Sequence, residues 1–338
     1  MSTSQMREIG GANGQRPSRL RPHARREQAG SNVIAGQVQW RAAMVEQDEP
    51  IHVPVLMAEV INALSPQAGG VYADGTLGGG GHARALAEAV GPQGCVVAVD
   101  RDPAAVAKAA ELLRGLPVRA VHANYADLPE VLDALKIELV DGFLLDLGLS
   151  SDQLADRQRG FSFSLDGPLD LRFDPTGGEP AARLVNRLSE QHLAELIWAF
   201  GEERYSKRIA RAIVEYRQRK TIKTSGELAE LVRRSVPRPP RGERIDPATR
   251  TFQALRIAVN QELKWLDVAL RRLPDRLRPG GRIAVISFHS LEDRKVKEAF
   301  RGDERLEVLT RKPITAGAEE LAVNPRARSA KLRVAVRR

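Results

Sequence analysis

The fold of this chain is decided by a stretch that reads Asp74-Gly75-Thr76-Leu77-Gly78-Gly79-Gly80-Gly81-His82. A predicted helix follows, and then a strand that reads Cys95-Val96-Val97-Ala98-Val99-Asp100. Glycines let the backbone turn sharply and approach a ligand closely. A helix that begins near residue 82 offers unpaired N–H groups and a positive dipole end, and an acid at the tip of the next strand is suited to ribose hydroxyls. The unit therefore predicts a site for a nucleoside-containing cofactor.

Strands and helices alternate on both sides of this unit. The apolar pattern predicts strands at residues 71–74, 95–100, 118–122 and 140–146, and helices at 57–64, 83–90, 103–113 and 128–135. Runs without a polar residue, such as residues 96–99, indicate strands that are buried on both faces, which is typical of a parallel sheet under helices. We therefore predict a doubly wound, mostly parallel α/β domain.

The alternation is interrupted in the middle of the chain. Residues 151–244 contain no convincing strand and read as a loop followed by helices, one of which begins at the capping box Thr224-Ser225-Gly226-Glu227. We therefore expect one α/β domain, residues 51–150 and 245–338, that carries an inserted helical subdomain at 151–244.

The C-terminal part returns to the α/β pattern. One long helix is predicted from Asp246 through Leu266, ended by the Pro-Gly-Gly turn that begins at Pro279. A buried strand at residues 282–287 then resumes the sheet. A final alternating strand at residues 332–336 is expected at a sheet edge.

The first fifty residues have a different composition. They are rich in Gly, Gln, Ser and Arg, and between Met1 and Arg26 there are six arginines against one glutamate. Such a composition predicts a disordered, Arg-rich tail over residues 1–50. A transit peptide is the alternative, which the lack of leucines disfavours.

Composition narrows the class of protein. The 338 residues carry a net charge of +9, which favours a polyanionic partner such as nucleic acid. The single cysteine, Cys95, excludes a disulfide framework and suits a reducing cytoplasm. No apolar run is long enough to cross a membrane, and the scattered histidines lack metal-ligand spacing. We therefore predict a cytoplasmic protein without a membrane or metal partner.

The glycine stretch fits two kinds of cofactor. Residues 78–83 satisfy the G-x-G-x-x-A dinucleotide fingerprint, a weak match in so glycine-rich a segment. The other template is the S-adenosylmethionine loop of Rossmann-like methyltransferases, in which an acid precedes the glycines. Asp74 favours this second template, because a carboxylate pairs with an α-amino group and repels a diphosphate. A tight turn without a ligand is the third interpretation.

Further candidate residues follow the other strands. Asp100 is expected to accept both ribose hydroxyls, and Tyr125 to stack on the adenine while Asp127 or a backbone amide reads its edge. Asp146 ends the fourth strand, where ligands bind in open α/β sheets; it either orients or deprotonates an amine or serves as a helix cap. His289 follows the fifth strand at the same edge and either faces the substrate or is structural.

Basic residues are concentrated in the insertion and in one C-terminal loop, which is typical of a surface that contacts phosphates. The loop is Asn324-Pro325-Arg326-Ala327-Arg328-Ser329-Ala330-Lys331. The residues of the insertion are Arg204, Lys207, Arg208, Arg211, Arg217, Arg219, Lys220, Arg233, Arg234, Arg238, Arg241 and Arg244.

Eight blocks of sequence, in family order, resemble the bacterial 16S rRNA (cytosine-N4)-methyltransferase family of the RsmH or MraW type. They are His52-Val53-Pro54-Val55-Leu56, Gly75-Thr76-Leu77-Gly78-Gly79-Gly80-Gly81-His82, Asp146-Leu147-Gly148-Leu149-Ser150-Ser151-Asp152-Gln153, Gly160-Phe161-Ser162-Phe163, Pro168-Leu169-Asp170-Leu171-Arg172, Thr251-Phe252-Gln253-Ala254-Leu255-Arg256-Ile257, Ser287-Phe288-His289-Ser290-Leu291-Glu292-Asp293 and Asn324-Pro325-Arg326-Ala327-Arg328-Ser329. The blocks cover the chain from His52 to its C-terminus. The Arg-rich tail before them is outside the family pattern.

The resemblance implies a Rossmann-like class I methyltransferase that uses S-adenosyl-L-methionine to methylate the N4 amine of one cytidine in the decoding region of 16S rRNA, within the small ribosomal subunit. The family's cofactor contacts correspond to Gly80, Gly81, His82, Asp100, Tyr125, Asp146 and Gln153. Asp146 and then His289 are the candidate proton acceptors. The sequence after the fourth strand lacks the Pro-Pro-aromatic signature of DNA amino-methyltransferases, so their mechanism does not transfer.

Two other classes of function are kept as alternatives. A nicotinamide-dependent oxidoreductase would use a similar glycine loop, but Asp74 and the absence of a catalytic Lys/Tyr or Cys pattern count against it. A non-catalytic RNA-binding ribosome-assembly factor would keep the basic surface and need no cofactor. A homo-oligomer is compatible with each of these functions.

Overall fold

Strands and helices alternate along the first part of the chain as predicted. The computed structural model describes residues 54–162, 165–237 and 246–338. The strands are β1 Val71–Asp74, β2 Cys95–Asp100, β3 Val118–His122, β4 Val140–Asp146, β5 Leu277–Ser287, β6 Leu306–Val308 and β7 Lys331–Arg337. The helices of the first part are α1 Met57–Leu64, α2 Gly81–Val90, α3 Pro103–Leu112, α4 Leu128–Ala134 and α5 Ser151–Ala155. Those of the second part are α6 Ala181–Arg187, α7 Glu190–Gly201, α8 Ser206–Arg217, α9 Ser225–Ser235, α10 Thr249–Asn260, α11 Glu262–Arg272, α12 Ser290–Gly302 and α13 Ala318–Val323.

Among the described residues the strands form one seven-stranded sheet in the order β3-β2-β1-β4-β5-β7-β6. The pairs β1/β2, β1/β4, β2/β3 and β4/β5 are parallel, and β7 runs antiparallel to β5 and β6. The strand order turns outward in both directions from β1 and β4, which places a cleft at their carboxyl ends. The predicted fold class, a doubly wound, mostly parallel α/β sheet of the Rossmann-like class I methyltransferase type, is confirmed.

Both faces of the sheet are covered, because successive side chains of a strand point to opposite faces. In β2, Val96 and Ala98 pack into one apolar cluster together with Leu86 of α2. Val97 and Val99 pack into the other cluster, on the opposite face. The uninterrupted apolar run of this strand is therefore explained by helices on both sides.

The helices between β4 and β5 have an apolar core of their own. It contains buried side chains of α6 to α9, such as Val185, Ile197, Ile209 and Leu228, each with no exposed surface. The capping box predicted at the start of α9 is formed. Phe252 of α10 also packs into this core. The proposed domain limits at residues 150 and 245 stay predictions.

The prediction of one long helix after residue 246 is wrong. The structure has two helices, α10 and α11, separated at Gln261, whose φ is 52°. The cause is the side chain of Asn260, which donates to the Leu171 carbonyl at 2.7 Å and accepts from the Phe173 amide at 2.7 Å. Its own carbonyl accepts from Arg101 at 2.7 Å instead of continuing the helix. Contacts with two distant segments therefore end α10.

The prediction that the last strand lies at an edge is also wrong. β7 lies between β5 and β6, and the short β6 forms the edge. Arg333, which points away from solvent in β7, is paired with Asp293 of α12 at 2.6 Å. The alternation of arginine with apolar residues in β7 is typical of a strand with one exposed face. In the structure the arginine is buried in an ion pair, and both edges of the strand are hydrogen-bonded to neighbouring strands.

Several predictions lie outside the described residues. These are the tail at residues 1–50, and the part of the insertion that holds Arg238, Arg241 and Arg244. No helix within the described ranges combines the length and the apolar character needed to cross a membrane.

Candidate functional site

A cleft opens at the carboxyl ends of the central strands. The ends of β1, β2 and β4 contribute residues that line it, and segments distant in sequence close its sides. Its lining includes these candidates from the sequence: Gly81, His82, Asp100, Tyr125, Asp146 and Gln153. It also includes side chains that were not predicted there: Thr76, Phe173, Glu262, Glu292 and Arg326. Asp74, Gly80 and His289 are not part of this lining.

The glycine loop, residues 75–81, forms the floor of the cleft and begins α2. Gly78 has a φ of 47° and Gly80 a φ of 79°, which only glycine adopts freely. The amide of Gly80 donates to the Leu77 carbonyl at 2.7 Å, and a Cβ there would point toward Leu113, at 3.2 Å. Gly80 therefore shapes the loop from behind and does not face the cleft.

Asp100 ends β2 and faces the cleft with both carboxylate oxygens anchored. Oδ2 accepts from the Gly78 amide at 2.8 Å, and Oδ1 accepts from the Asp102 amide at 2.9 Å. Burial raises the pKa of this carboxyl. A carboxylate has about four acceptor sites, so Asp100 retains the capacity to bind two hydroxyl groups in a fixed orientation.

A buried network supports Asp100 from behind. The side chain of Asp102 caps α3 by accepting from the Ala104 amide. The same carboxylate accepts from Arg159 Nη1 at 3.1 Å and from Gln153 Nε2 at 3.4 Å. Arg159 also donates to the Phe173 carbonyl. These hydrogen bonds connect the carboxyl end of β2 to the segment that leads into the helical region.

The adjacent strands β1 and β4 each end in a carboxyl group, of which that of Asp74 is buried and that of Asp146 is partly buried. Asp74 Oδ1 accepts from the amide and the hydroxyl of Thr76, at 2.9 and 3.2 Å. The Thr76 hydroxyl in turn accepts from the Asp146 amide at 2.6 Å. Asp74 Oδ2 and Asp146 Oδ1 are buried and have no hydrogen-bond partner in the described structure. The site thus presents two carboxylate oxygens that lack donors.

The pair is electrostatically unfavourable without a cation. Burial raises the pKa of Asp74 to about 7, and the nearby Asp100 adds to this increase. Burial raises the pKa of Asp146 to about 8, with Asp74 and Glu292 adding to it and Arg326 opposing it. A bound cation would favour the ionised forms of both groups, so the arrangement suits a ligand that carries positive charge.

His82 is buried at the start of α2 and lies next to Asp146. Its Nδ1 is 3.6 Å from Asp146 Oδ2, and its Nε2 is 3.1 Å from the Val55 carbonyl. A hydrogen bond from Nε2–H to this carbonyl would direct Nδ1 toward the carboxyl. His82 therefore orients Asp146 and the N-terminal segment at the same time.

Tyr125 follows β3 and covers one side of the cleft. Its hydroxyl donates to the Glu262 carbonyl at 3.3 Å, and burial raises its pKa. The Glu262 side chain is itself buried and accepts from Arg256 at 2.8 Å. The aromatic ring is thereby held at the tip of the sheet, where it was predicted to stack on a base. Asp127, the other candidate in this segment, is exposed.

His289 is placed as a structural group next to the cleft. It caps α12, since its Nδ1 accepts from the Glu292 amide at 3.4 Å, and its Nε2 is 3.1 Å from Glu292 Oε1. Glu292 lines the cleft, and its other oxygen accepts from the Phe288 amide. His289 lowers the pKa of Glu292 against the effect of burial, as does Arg256. Both ring nitrogens of His289 therefore contact Glu292 and do not face the cleft.

Arg326 lines the cleft, although the sequence analysis predicted it in a loop that contacts phosphates. It donates to Ser151 Oγ at 2.7 Å and to the Leu149 carbonyl. It lines the cleft together with Asp146. The partners are about half the chain apart, so local sequence carried no signal for this contact. Arg328 of the same motif is exposed, as expected of a surface residue.

The basic residues of the helical region differ in their partners. Arg217 donates to the Val185 carbonyl at 2.6 Å and is a structural residue. Arg204 lies over the ring of Tyr205, 4.6 Å from its centroid. Ion pairs hold Arg211, Lys220, Arg233 and Arg234. Of the described basic residues named in the sequence analysis of this region, those that remain exposed and form no ion pair with a described residue are Lys207, Arg208 and Arg219. These three residues are the ones best suited to contact phosphates.

Comparison with known proteins yields a consistent set of relatives. A family model described as the MraW methylase family matches residues 49–338. Ribosomal RNA small subunit methyltransferase H of Thermomicrobium roseum shares 50% identity over 317 residues, which cover 88% of this chain and 97% of the relative. The protein of the same name from Citrifermentans bemidjiense shares 50% identity over 303 residues, 84% of this chain and 97% of the relative. A solved structure of an rRNA methylase from Streptococcus thermophilus aligns with a TM-score of 0.39 and 11% identity, over 83% of this chain and 93% of that chain.

Proposed function

Since this chain belongs to the MraW methylase family, we propose that it methylates the N4 amine of one cytidine in the decoding region of 16S rRNA. The methyl donor is S-adenosyl-L-methionine, and the substrate is the rRNA within the small ribosomal subunit. The observation that carries the proposal is a cleft lined by Asp100, Tyr125 and Asp146, with a donor-free oxygen on Asp146, in a chain that is 50% identical to small-subunit rRNA methyltransferases.

The residues of the cleft fit this cofactor. Asp100 has two acceptor positions left for the ribose hydroxyls, and the ring of Tyr125 provides an apolar surface for the adenine. The negative charge of Asp74 and Asp146 at this end of the sheet suits a ligand that carries positive charge, and the glycine loop lets the ligand approach the backbone. When bound, S-adenosyl-L-methionine supplies an electrophilic methyl group on a positively charged sulfur.

The chain's contribution to the chemistry is to orient the amine and to take its proton. The lone pair of the cytosine amine is delocalised into the ring, so the amine is a weak nucleophile and must be held in line with the methyl group. As the N–C bond forms, the nitrogen must lose a proton. Asp146, at the edge of the cleft, is the proposed acceptor, and it must be ionised at that moment. His289 is the second candidate, disfavoured because its nitrogens face Glu292.

The helical region is proposed to hold the rRNA. Lys207, Arg208 and Arg219 are the exposed positive charges that are available for phosphates. The target base has to leave its stack to reach the cleft. This activity implies a cytoplasmic location, where ribosomal subunits are assembled.

The proposal is tested on small subunits from a strain that lacks this gene. The purified protein is incubated with these subunits and methyl-labelled S-adenosyl-L-methionine, and nucleosides are identified by mass spectrometry. The expected product is N4-methylcytidine at a single site, absent with an Asp146→Ala variant. A methyl group on another base, or none, would overturn the proposed substrate.

The same preparation separates the two alternative functions. Calorimetry with NADH is expected to give no binding, whereas S-adenosyl-L-methionine binds. An oxidoreductase would show the reverse. A non-catalytic assembly factor would bind the subunits, bind neither cofactor and leave the rRNA unmodified.

A further inference from the structure

The C-terminal turn that carries Arg326 is firmly attached to the body of the domain. It is the 3-10 turn Pro325–Ser329, in which Ala327 is 1% exposed and packs into one of the sheet's apolar clusters. Ala330 packs into the same cluster, and β7 begins at Lys331. Since β7 pairs with β5 along its whole length, the position of the Arg326 backbone is set by the sheet.

The side chain of Arg326 reaches across to the loop that follows β4. Nη1 donates to Ser151 Oγ at 2.7 Å, and Nη2 donates to the Leu149 carbonyl. This loop connects Asp146 to α5, which carries Gln153. The guanidinium therefore fastens the segment between two residues that line the cleft.

Charged groups from four elements bear on Asp146. Asp74 lies at the end of β1 and Glu292 in α12, and both disfavour its ionisation, while the Arg326 guanidinium favours it. His82 of α2 places Nδ1 3.6 Å from the carboxyl. Arg326 thus opposes the increase in the pKa of Asp146, and removal of its charge would raise that pKa further.

We propose that Arg326 is a positioning residue of the methyl transfer: it fixes the loop between Asp146 and α5, and it holds a positive charge in the wall of the cleft that Asp146 also lines, where the amine must lose its proton. This inference rests on the proposed function, in which Asp146 is the proton acceptor. Arg326 then acts at the site of methyl transfer and not on the RNA-binding surface that its motif predicted.

The test compares Arg326→Gln, Arg326→Lys and the control Arg328→Gln, whose residue is exposed in the same turn. Single-turnover methylation of small subunits is measured as a function of pH, with cofactor affinity from calorimetry. Arg326→Gln is expected to slow transfer at pH 7 about tenfold or more and to move the acid limb of the rate profile up by about one pH unit. Arg326→Lys is expected to retain the position of the limb but not the full rate, because one ammonium cannot replace both hydrogen bonds.

The acid limb of Arg328→Gln is expected to lie at the same pH as that of the wild type, because a change in phosphate binding alone alters the rate without moving the limb. Cofactor affinity is expected to stay within about threefold in all variants. If the acid limb of the pH–rate profile does not move in Arg326→Gln, the inference is overturned. If Arg326→Gln instead loses cofactor affinity while the limb stays in place, Arg326 is a ligand of the cofactor, and the inference is overturned as well.

A second measurement does not depend on activity. The carboxyl resonance of Asp146, assigned with Asp146→Asn, is titrated by carbon NMR in the ligand-free protein. The pKa of Asp146 is expected to be higher in Arg326→Gln than in the wild type and unchanged in Arg328→Gln. If the wild type methylates no cytidine, the proposed function fails, and this titration still decides whether Arg326 controls Asp146.

Discussion

At the scale of single residues, Asp146 makes the stability of the ligand-free protein depend on pH. The folded state holds its proton up to about pH 8, whereas the ordinary value is 3.8. A carboxyl whose pKa is raised by folding stabilises the fold fully below the unfolded value, and this contribution is lost as pH rises toward the folded value. The protein should therefore lose stability between about pH 4 and pH 8, by up to about 1.4 kcal/mol per pH unit from this group.

The substitution Asp146→Asn tests this, because it resembles the protonated carboxyl. We expect the melting temperature of Asp146→Asn to exceed that of the wild type at pH 8, and the difference to shrink at pH 5. Asp152→Asn is the control, because Asp152 is exposed in α5, directly after the loop that follows Asp146; it should show no such dependence. An equal difference at both pH values would contradict the raised pKa.

Asp100 should be the residue on which cofactor affinity depends most directly. Loss of hydrogen bonds to a charged acceptor costs roughly 1.5–3 kcal/mol, so Asp100→Ala is expected to weaken binding of S-adenosyl-L-methionine about tenfold or more. Calorimetry on the variant measures this. Glu111→Ala, exposed on α3, is the control. Wild-type affinity in Asp100→Ala would remove this residue from the site.

At the scale of elements, Arg159 joins the segment before the helical region to the end of β2. The pair with Asp102 is buried, with 10% and 5% of the two side chains exposed. Removal of one partner leaves a buried charge unpaired, which costs about 3–5 kcal/mol. We therefore expect Arg159→Leu to lower the free energy of unfolding by this amount, as measured by urea denaturation.

Arg159→Leu should also weaken cofactor binding, because the Asp102 amide supports Asp100. Arg157→Leu is the matched control, since Arg157 is exposed two residues away. A decrease of less than about 1 kcal/mol, as for an exposed pair, would show that the buried pair is not essential to the stability of the fold.

At the scale of the whole molecule, cofactor affinity and RNA affinity should be separable. The combined variant Lys207→Ala, Arg208→Ala and Arg219→Ala is expected to weaken binding to the small subunit. The slope of log K against log salt should fall by about 0.7 for each phosphate group that the variant no longer binds. Calorimetry should find S-adenosyl-L-methionine binding unchanged, because the cleft is formed by other elements.

The control for this variant removes Lys220 and Arg234, whose charges are used in pairs with Glu227 and Glu230. It should change the salt slope less. Deletion of residues 1–50 should also matter less, because the composition of this segment predicts an arm that adds charge without orientation. If the deletion abolishes methylation while the triple variant methylates normally, the RNA surface lies in the tail instead.

Much of the fold follows from local sequence. The bounds of β1 to β4 agree with the prediction. In β2 and β4 the strong local signal is an apolar run that is buried on both faces. The capping box at Thr224 formed for the same reason, as its donors and acceptors lie within four residues. The site residues Asp100 and Asp146 were placed at one edge because parallel strands bring their carboxyl ends together.

The sequence by itself thus determined the parallel sheet, the glycine loop and the carboxylates at the strand ends, since each depends on neighbours within one element or one crossover. Only the tertiary structure decided that Asn260 ends α10 and that Arg326 closes the loop after β4. Those hydrogen bonds join segments 89 and 177 residues apart. A polar side chain has the same local pattern whether water or a distant carbonyl accepts its hydrogen bonds, so its partner is known only once the chain has folded.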